Sequence, residues 1–140
     1  ELISLHKKFR KRDVALSCGA SNKCGLMPFY ISNTPVLSSF EEKLQHNGQV
    51  LRMDFVPVLT IDQIANVFPD DYVLFLSIDV EGWDFEVLQG STKTLTRTLC
   101  ICIEANTPDE YQKISSFLVP IGFEIKAETA SNIIFENVKI

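Results

Sequence analysis

Two acids follow the longest near-apolar run of this sequence: residues 72–78 lead directly into Asp79-Val80-Glu81-Gly82. A third acid, Glu104, closes a second apolar run over 99–103. A carboxylate at the end of a buried strand is costly unless it has partners. Three that converge could grip a hydroxyl or an amine, bind a hard cation, or serve as a general base. Gly82 lets the chain turn tightly after the acids, with the backbone open to a ligand. Each acid also has a plainer reading. Asp79 or Glu81 alone could cap the following helix through its free N–H groups. Glu104 could be a solvated strand end. The single tryptophan, Trp83, reads as a core residue rather than a stacking platform.

Hydrophobic periodicity supplies the elements that must hold these residues. Residues 72–78 (YVLFLSI) have the pattern of a strand buried on both faces of a parallel sheet. A helix follows over 83–89, with Trp83, Val87 and Leu88 toward the core and Gly90 as its C′ stop. Residues 99–103 (LCICI) read as a second buried strand. Residues 108–119 begin with proline and place Tyr111, Ile114, Phe117 and Leu118 on one side, an amphipathic helix. Residues 123–127 and 132–135 form a terminal strand pair across a turn at 128–131. Upstream, 2–12 read as the end of a helix with Leu2, Leu5 and Phe9 on one face. Residues 13–17 (DVALS) read as a short strand, Gly19, Ser21, Asn22 and Gly25 as a loop, and 26–31 as another short strand. Residues 32–49 are a long polar excursion with Pro35 and Gly48, and 53–58 a strand that Pro57 assigns to an edge. Thr60 caps a short helix over 61–67 that ends before Pro69. Strands alternating with helices predict an α/β fold with a mainly parallel sheet, in which ligands sit outside the carboxyl ends of the strands. Asp79, Glu81 and Glu104 all stand at such ends.

Composition narrows the classes. The 140 residues suffice for a single domain, 1–140, with a real core. With 46% hydrophobic and 22% charged residues, the chain is neither a disordered tail nor a fibre or rod. No apolar run approaches the ~20 residues of a membrane helix, and no apolar signal segment opens the chain. A net charge of −5 argues against nucleic acid as the default partner. Lys7, Lys8, Arg10, Lys11 and Arg12 make the first stretch basic, which reads as a solvated helix face before a phosphate-contacting patch. Cys18, Cys24, Cys100 and Cys102 form no Cys-x-x-Cys pair, and neither His6 nor His46 stands at a zinc-finger spacing from them. The reading is four free thiols in a reducing, cytoplasmic compartment. There is no Gly-x-Gly-x-x-Gly, Walker loop or Gly-x-Ser-x-Gly elbow, so nothing reads as a phosphate cradle or a serine triad.

The segment Leu76-Ser-Ile-Asp-Val-Glu-Gly-Trp-Asp-Phe-Glu-Val-Leu-Gln-Gly90 resembles the signature of the FkbM-type methyltransferases: an apolar strand, Ile-Asp-x-Glu-Gly, then a helix ending Glu-x-Leu-x-Gly. Leu59-Thr-Ile-Asp62 resembles the family's Thr-Leu-Asp element, 99–104 its next strand ending in Glu, and 13–30 its strand, glycine loop and Phe-Tyr strand. The likeness runs from Asp13 to about Gly122. It implies a class I, Rossmann-like methyltransferase that uses S-adenosylmethionine. Its acceptor would be a hydroxyl of a small or glycan-like molecule, with no nucleic-acid or membrane partner. The implied sheet has the order 3-2-1-4-5-7-6 with the last strand antiparallel. Residues 13–17 would be strand 3, 72–78 strand 4, 99–103 strand 5, and the terminal pair strands 6 and 7. Ser17 and Cys18 would lie near the adenine, and Asp79 and Val80 near the methionine end of the cofactor. Asp79 would orient or deprotonate the acceptor, with Glu81 the second candidate and Glu104 a substrate contact; no metal is implied.

Strands 1 and 2 of that template have no counterpart in this sequence, nor has the Gly-rich loop after strand 1. The chain is therefore expected to be the C-terminal portion of a longer protein and to bind the cofactor poorly by itself. Strand 4 would then present a bare hydrogen-bonding edge. Two rival readings stand beside this one: a non-catalytic methyltransferase-like binding or scaffolding domain, and an α/β domain whose acidic crevice holds a cation or an amine.

Overall fold

The structure is a computed structural model that describes residues 6, 8–42, 49–68 and 72–140. Leu2, Leu5, Lys7, His46, Gly48 and Pro69, on which parts of the sequence reading rest, lie outside the described residues. Of the first helix, His6, Lys8 and Phe9 are helical, and Phe9 is exposed rather than facing a core.

The first half of the chain builds a three-stranded sheet. β1 (Gly19–Ala20), β2 (Gly25–Ser32) and β3 (Val50–Leu59) lie in the order β1-β3-β2. β2 and β3 are antiparallel, and β1 runs parallel to the end of β3. β1 reaches only Val58 and Leu59, so Pro57 lies where β3 has a single neighbour and needs no second ladder bond. Residues 13–17 do not form the expected strand. No strand among the described residues lies beside them, and a strand without a partner leaves its backbone groups unpaired. Val14 and Leu16 are accordingly exposed.

The second half builds a four-stranded sheet. α1 (Ile61–Ala65) leads into β4 (Val73–Ile78); α2 (Asp84–Gln89) and α3 (Thr92–Leu95) carry the chain to β5 (Thr98–Glu104). α4 (Pro108–Leu118) then leads to the hairpin of β6 (Phe123–Glu128) and β7 (Asn132–Asn137). The strand order is β4-β5-β7-β6, with β4 parallel to β5 and β7 antiparallel to both its neighbours. A mainly parallel sheet is therefore not what forms: both sheets are mixed and mostly antiparallel. The reason is local. The short 129–131 turn can only join antiparallel strands, and it folds β7 back into the place between β5 and β6.

Helices cover one face of this sheet. Ile101 and Ile103 are fully buried, whereas Cys100 and Cys102, which alternate with them, are half-buried. Ile78, Val87, Leu88, Ile114, Phe123 and Phe135 complete the core, each fully buried apolar side chain contributing about 1.5–3 kcal/mol. α4 starts with a capping box, in which Thr107 accepts from the Glu110 N–H while the Glu110 carboxylate accepts from Thr107 N–H. It buries Ile114 and Leu118, with Tyr111 and Phe117 packed against the same cluster. β4 is not buried on both faces. Among the described residues it is an edge strand with one neighbour, and Tyr72 just before it, Leu74 and Phe75 are 56%, 72% and 57% exposed. No helix among the described residues is long and apolar enough to cross a membrane.

Gly90 ties the two halves together, and Asp62 ties α1 to α3. Gly90 does not act as a left-handed stop, because its φ is −77°. It is glycine because Ser21 crosses it: a Cβ there would sit 2.1 Å from the Ser21 carbonyl oxygen. The Asp62 carboxylate accepts from the Lys93 N–H at 3.0 Å, the Thr94 N–H at 2.7 Å and the hydroxyls of Thr94 and Thr92. Burial opposes its ionisation, but these donors together hold its carboxyl below the ordinary range. We predict that Gly90→Ala destabilises the chain by about 1–3 kcal/mol in urea unfolding, by overpacking against fixed backbone. Asp62→Ala is predicted to cost about 1–2 kcal/mol in the same assay, through loss of the N-terminal bonds of α3.

Candidate functional site

β4 and β5 end at the same level. Ile78 pairs with Ile103, so Asp79 leaves β4 at the level of Glu104, the last residue of β5, which still pairs with Asn132 of β7. Asp79 is exposed, Glu81 and Glu104 half-buried. Burial, and then the charges of Asp79, Glu81 and Glu110, push the Glu104 carboxyl above its ordinary range, against a hydrogen bond with Asn106. Its Oε2 is buried with no hydrogen-bond partner. The three acids found in the sequence thus share one electrostatic neighbourhood. Among the described residues no three His, Cys, Asp or Glu side chains stand close enough to hold a metal ion.

Sequence reasoning missed the acid at the centre of this neighbourhood. Asp84, the first residue of α2, is only 6% exposed. Its two carboxylate oxygens accept from the N–H groups of Val80 and Gly82, each at 3.2 Å. The loop between them is bent into the left-handed region, with φ of 56° at Glu81 and 92° at Gly82. Gly82 adopts such a φ freely, but Glu81 is strained there. Burial raises the Asp84 carboxyl from the ordinary 3.8 to about 6; its two backbone bonds oppose the shift, and Glu104 and Asp79 add to it. The available signal was an acid in the first turn of the helix, four residues after Val80, where a side chain can turn back onto the preceding loop. No side chain caps the start of α2, so neither Asp79 nor Glu81 makes the capping bond of its plainer reading; Asp84 holds the amides of the preceding loop instead.

A cavity of about 120 Å³ opens beside Asp84. Glu86, Glu104 and Glu110 line it with Lys113 and with Glu41, which comes from the long excursion after β2. Burial, then Glu86 and Glu110, raise the Glu41 carboxyl, against Lys113. The excursion is therefore part of the site. Ser39 is 2% exposed, and its hydroxyl donates to the Glu81 carbonyl at 2.8 Å. The neighbouring Phe40 stacks edge-on to Phe29, with ring centroids 5.0 Å apart, and tilts against Trp83. Trp83 is held inward, its Nε1–H donating to the buried Ser21 hydroxyl at 3.2 Å. It is a packing residue, as its sequence context suggested.

Ser17 and Cys18 stand elsewhere. They line a separate, mainly apolar pocket with Leu16, Phe29, Phe40 and Val56. Neither touches the acidic cavity. Phe40 is the link between the two: its ring forms a wall of the apolar pocket while Ser39 grips the acidic loop.

The sign of the Asp84 shift sets a pH dependence. A carboxyl whose folded pKa is raised stabilises the fold below its unfolded value, and that contribution is lost as pH rises through the folded one. Wild type is predicted to lose on the order of 2 kcal/mol relative to Asp84→Asn between pH 3.8 and about 6, read from parallel urea titrations of the two proteins.

Comparison with protein families matches the model described as the methyltransferase FkbM domain over residues 5–126. Neither the curated proteins nor the solved structures include a significant match to this chain.

Proposed function

The chain belongs to the FkbM methyltransferase family, and from that premise we propose that it carries the acceptor-side acids of an S-adenosylmethionine-dependent O-methyltransferase. The observation that carries this reading is the paired ending of β4 and β5, which puts Asp79 beside Glu104 at the carboxyl ends of parallel strands. The chemistry of the residues fits the cofactor in two respects. The acidic neighbourhood has the sign that favours a sulfonium cation. The pocket at Ser17 and Cys18 is apolar enough to take a purine, with Phe29 and Phe40 as its aromatic walls. Ser17 and Cys18 would hold the adenine end, and Asp79 and Val80 the methionine end.

When bound, the cofactor supplies a methyl group already activated on sulfur. The chain's own task is to align a hydroxyl and remove its proton. Asp79, exposed at the strand end, accepts that proton. Glu81 and Glu104 surround it with negative charge, which keeps a neighbouring cation in place and disfavours a second anion. The cavity walled by Glu41, Glu86 and Glu110 lies on the acceptor side. The long excursion after β2 contributes Glu41 to that wall and so takes part in acceptor recognition. The acceptor is a small or glycan-like molecule bearing the hydroxyl.

The free edge of β4 bears on where the rest of the cofactor site comes from. Tyr72 to Ile78 carries no charge, proline or bulge of the kind that protects a natural edge. We take this edge to be paired, in the working enzyme, by a strand of the same protein outside the described residues.

Two outcomes follow. In the protein that carries this chain, assayed with methyl-labelled S-adenosylmethionine against a panel of hydroxylated small molecules and glycans, Asp79→Asn lowers turnover about 10²–10⁴-fold. A loss under about threefold removes Asp79 from proton transfer. Residues 1–140 alone bind S-adenosylmethionine weakly in calorimetry, and tight, saturable binding by them overturns the assignment of the β4 edge.

A further inference from the structure

We propose that Asp84 and Ser39 are positioning residues, which clamp the 79–82 loop from opposite sides and so fix where Asp79 and Glu81 present their carboxylates. The inference takes the purpose of the loop from the methyltransferase reading, while the clamp itself is a matter of backbone geometry.

A loop with left-handed φ at a glutamate does not hold itself. Something around it must over-determine the bend. From beneath, one Asp84 oxygen takes the Val80 N–H and the other takes the Gly82 N–H. A carboxylate is the side chain that can do this, because both of its oxygens accept. An asparagine in its place keeps one acceptor and turns an N–H₂ toward a backbone N–H. From above, the Ser39 hydroxyl takes the Glu81 carbonyl. Ser39 is itself fixed. Its backbone exchanges two bonds with Tyr30, Tyr30 N–H to Ser39 O at 2.8 Å and Ser39 N–H to Tyr30 O at 3.2 Å. Its hydroxyl oxygen also accepts from the Glu41 N–H at 3.1 Å. Backbone groups of three consecutive loop residues are thus held without using the side chains of Asp79 or Glu81.

The arrangement links acceptor recognition to the acids. Ser39 and Glu41 belong to one short stretch: the first grips the catalytic loop, the second lines the cavity. A ligand that moves this stretch moves the loop. The clamp is also charge-dependent, because an ionised Asp84 accepts both amides better than a protonated one. The charged groups facing it are Asp79 from the end of β4 and Glu104 from β5. Glu41, Glu86 of α2, and Glu110 and Lys113 of α4 share its cavity.

The test is residue-resolved amide hydrogen exchange in the whole protein, comparing wild type with Asp84→Asn, Ser39→Ala and Ser39→Thr. Asp84→Asn is expected to speed exchange at Val80 and Gly82 about tenfold or more while Ile101 and Ile103 in β5 are unchanged. Ser39→Ala is expected to speed the loop about threefold, and Ser39→Thr, which keeps the hydroxyl, to restore it. Wild-type protection at Val80 and Gly82 in a folded Asp84→Asn protein overturns the proposal. If Asp84→Asn does not fold, an unchanged loop in Ser39→Ala overturns it equally. Exchange reads the clamp with no cofactor or acceptor present, so a failed clamp and a failed methyltransferase reading give different results.

Discussion

Asp84 is a carboxylate buried against two backbone amides, and the exit of β4 takes its shape from that contact. A buried charge is stabilised only where its hydrogen bonds are made, and these are made to the two amides that the left-handed bend turns inward. The bend therefore needs Asp84, and Asp84 needs the bend. Everything with chemical potential at this end of the sheet depends on the pair. Asp79 and Glu81 are the residues on either side of Val80, and Glu104 reaches the same region because β5 runs parallel and in register with β4. The core beneath, from Ile78, Ile101 and Ile103 to Val87 and Leu88, gives the bend a rigid base.

Among the described residues the same sheet has two edges, β6, which carries Glu124, Lys126, Glu128 and a bulge, and β4, which carries none of these. β7 folds into the middle and completes the ladder around β5, so the far end of the sheet is a self-contained hairpin. β4 has one neighbour among the described residues and an uncharged run of Val, Leu and Phe along its free side. Edges of this kind are normally blunted by charge, proline or a bulge. This one is not, and it ends in the acids. The acidic half of the site is thus built on an edge strand that nothing along it protects, which is why cofactor binding and strand pairing belong to the same question.

Much of this was legible in the residues. The capping of α1 by Thr60, the amphipathic α4 and the final hairpin follow from local signals that tertiary contacts did not override. The convergence of Asp79, Glu81 and Glu104 followed from their positions at strand ends. What was not legible depends on neighbours. Residues 13–17 have strand-like composition but, among the described residues, no strand beside them. The apolar run 72–78 has the composition of a doubly buried strand, yet among the described residues β4 has one neighbour and Leu74 and Phe75 are exposed. Gly90 looked like a helix stop, although its reason is the Ser21 backbone crossing it, a contact between residues far apart in the chain. Asp84 was visible within the signature but indistinguishable from any first-turn acid until the loop it holds was seen. The role of the 39–41 stretch carried no signal at all, since serine, phenylalanine and glutamate in a polar excursion announce nothing by themselves.

The measurement that tests the central claim most directly is a crystal structure of the protein carrying this chain with S-adenosylhomocysteine bound. The account predicts the thioether sulfur beside Asp79 and Val80, at the carboxyl end of β4, and the adenine in the pocket of Ser17 and Cys18. A product seated away from the ends of β4 and β5, leaving Asp79 remote from the sulfur, would contradict it.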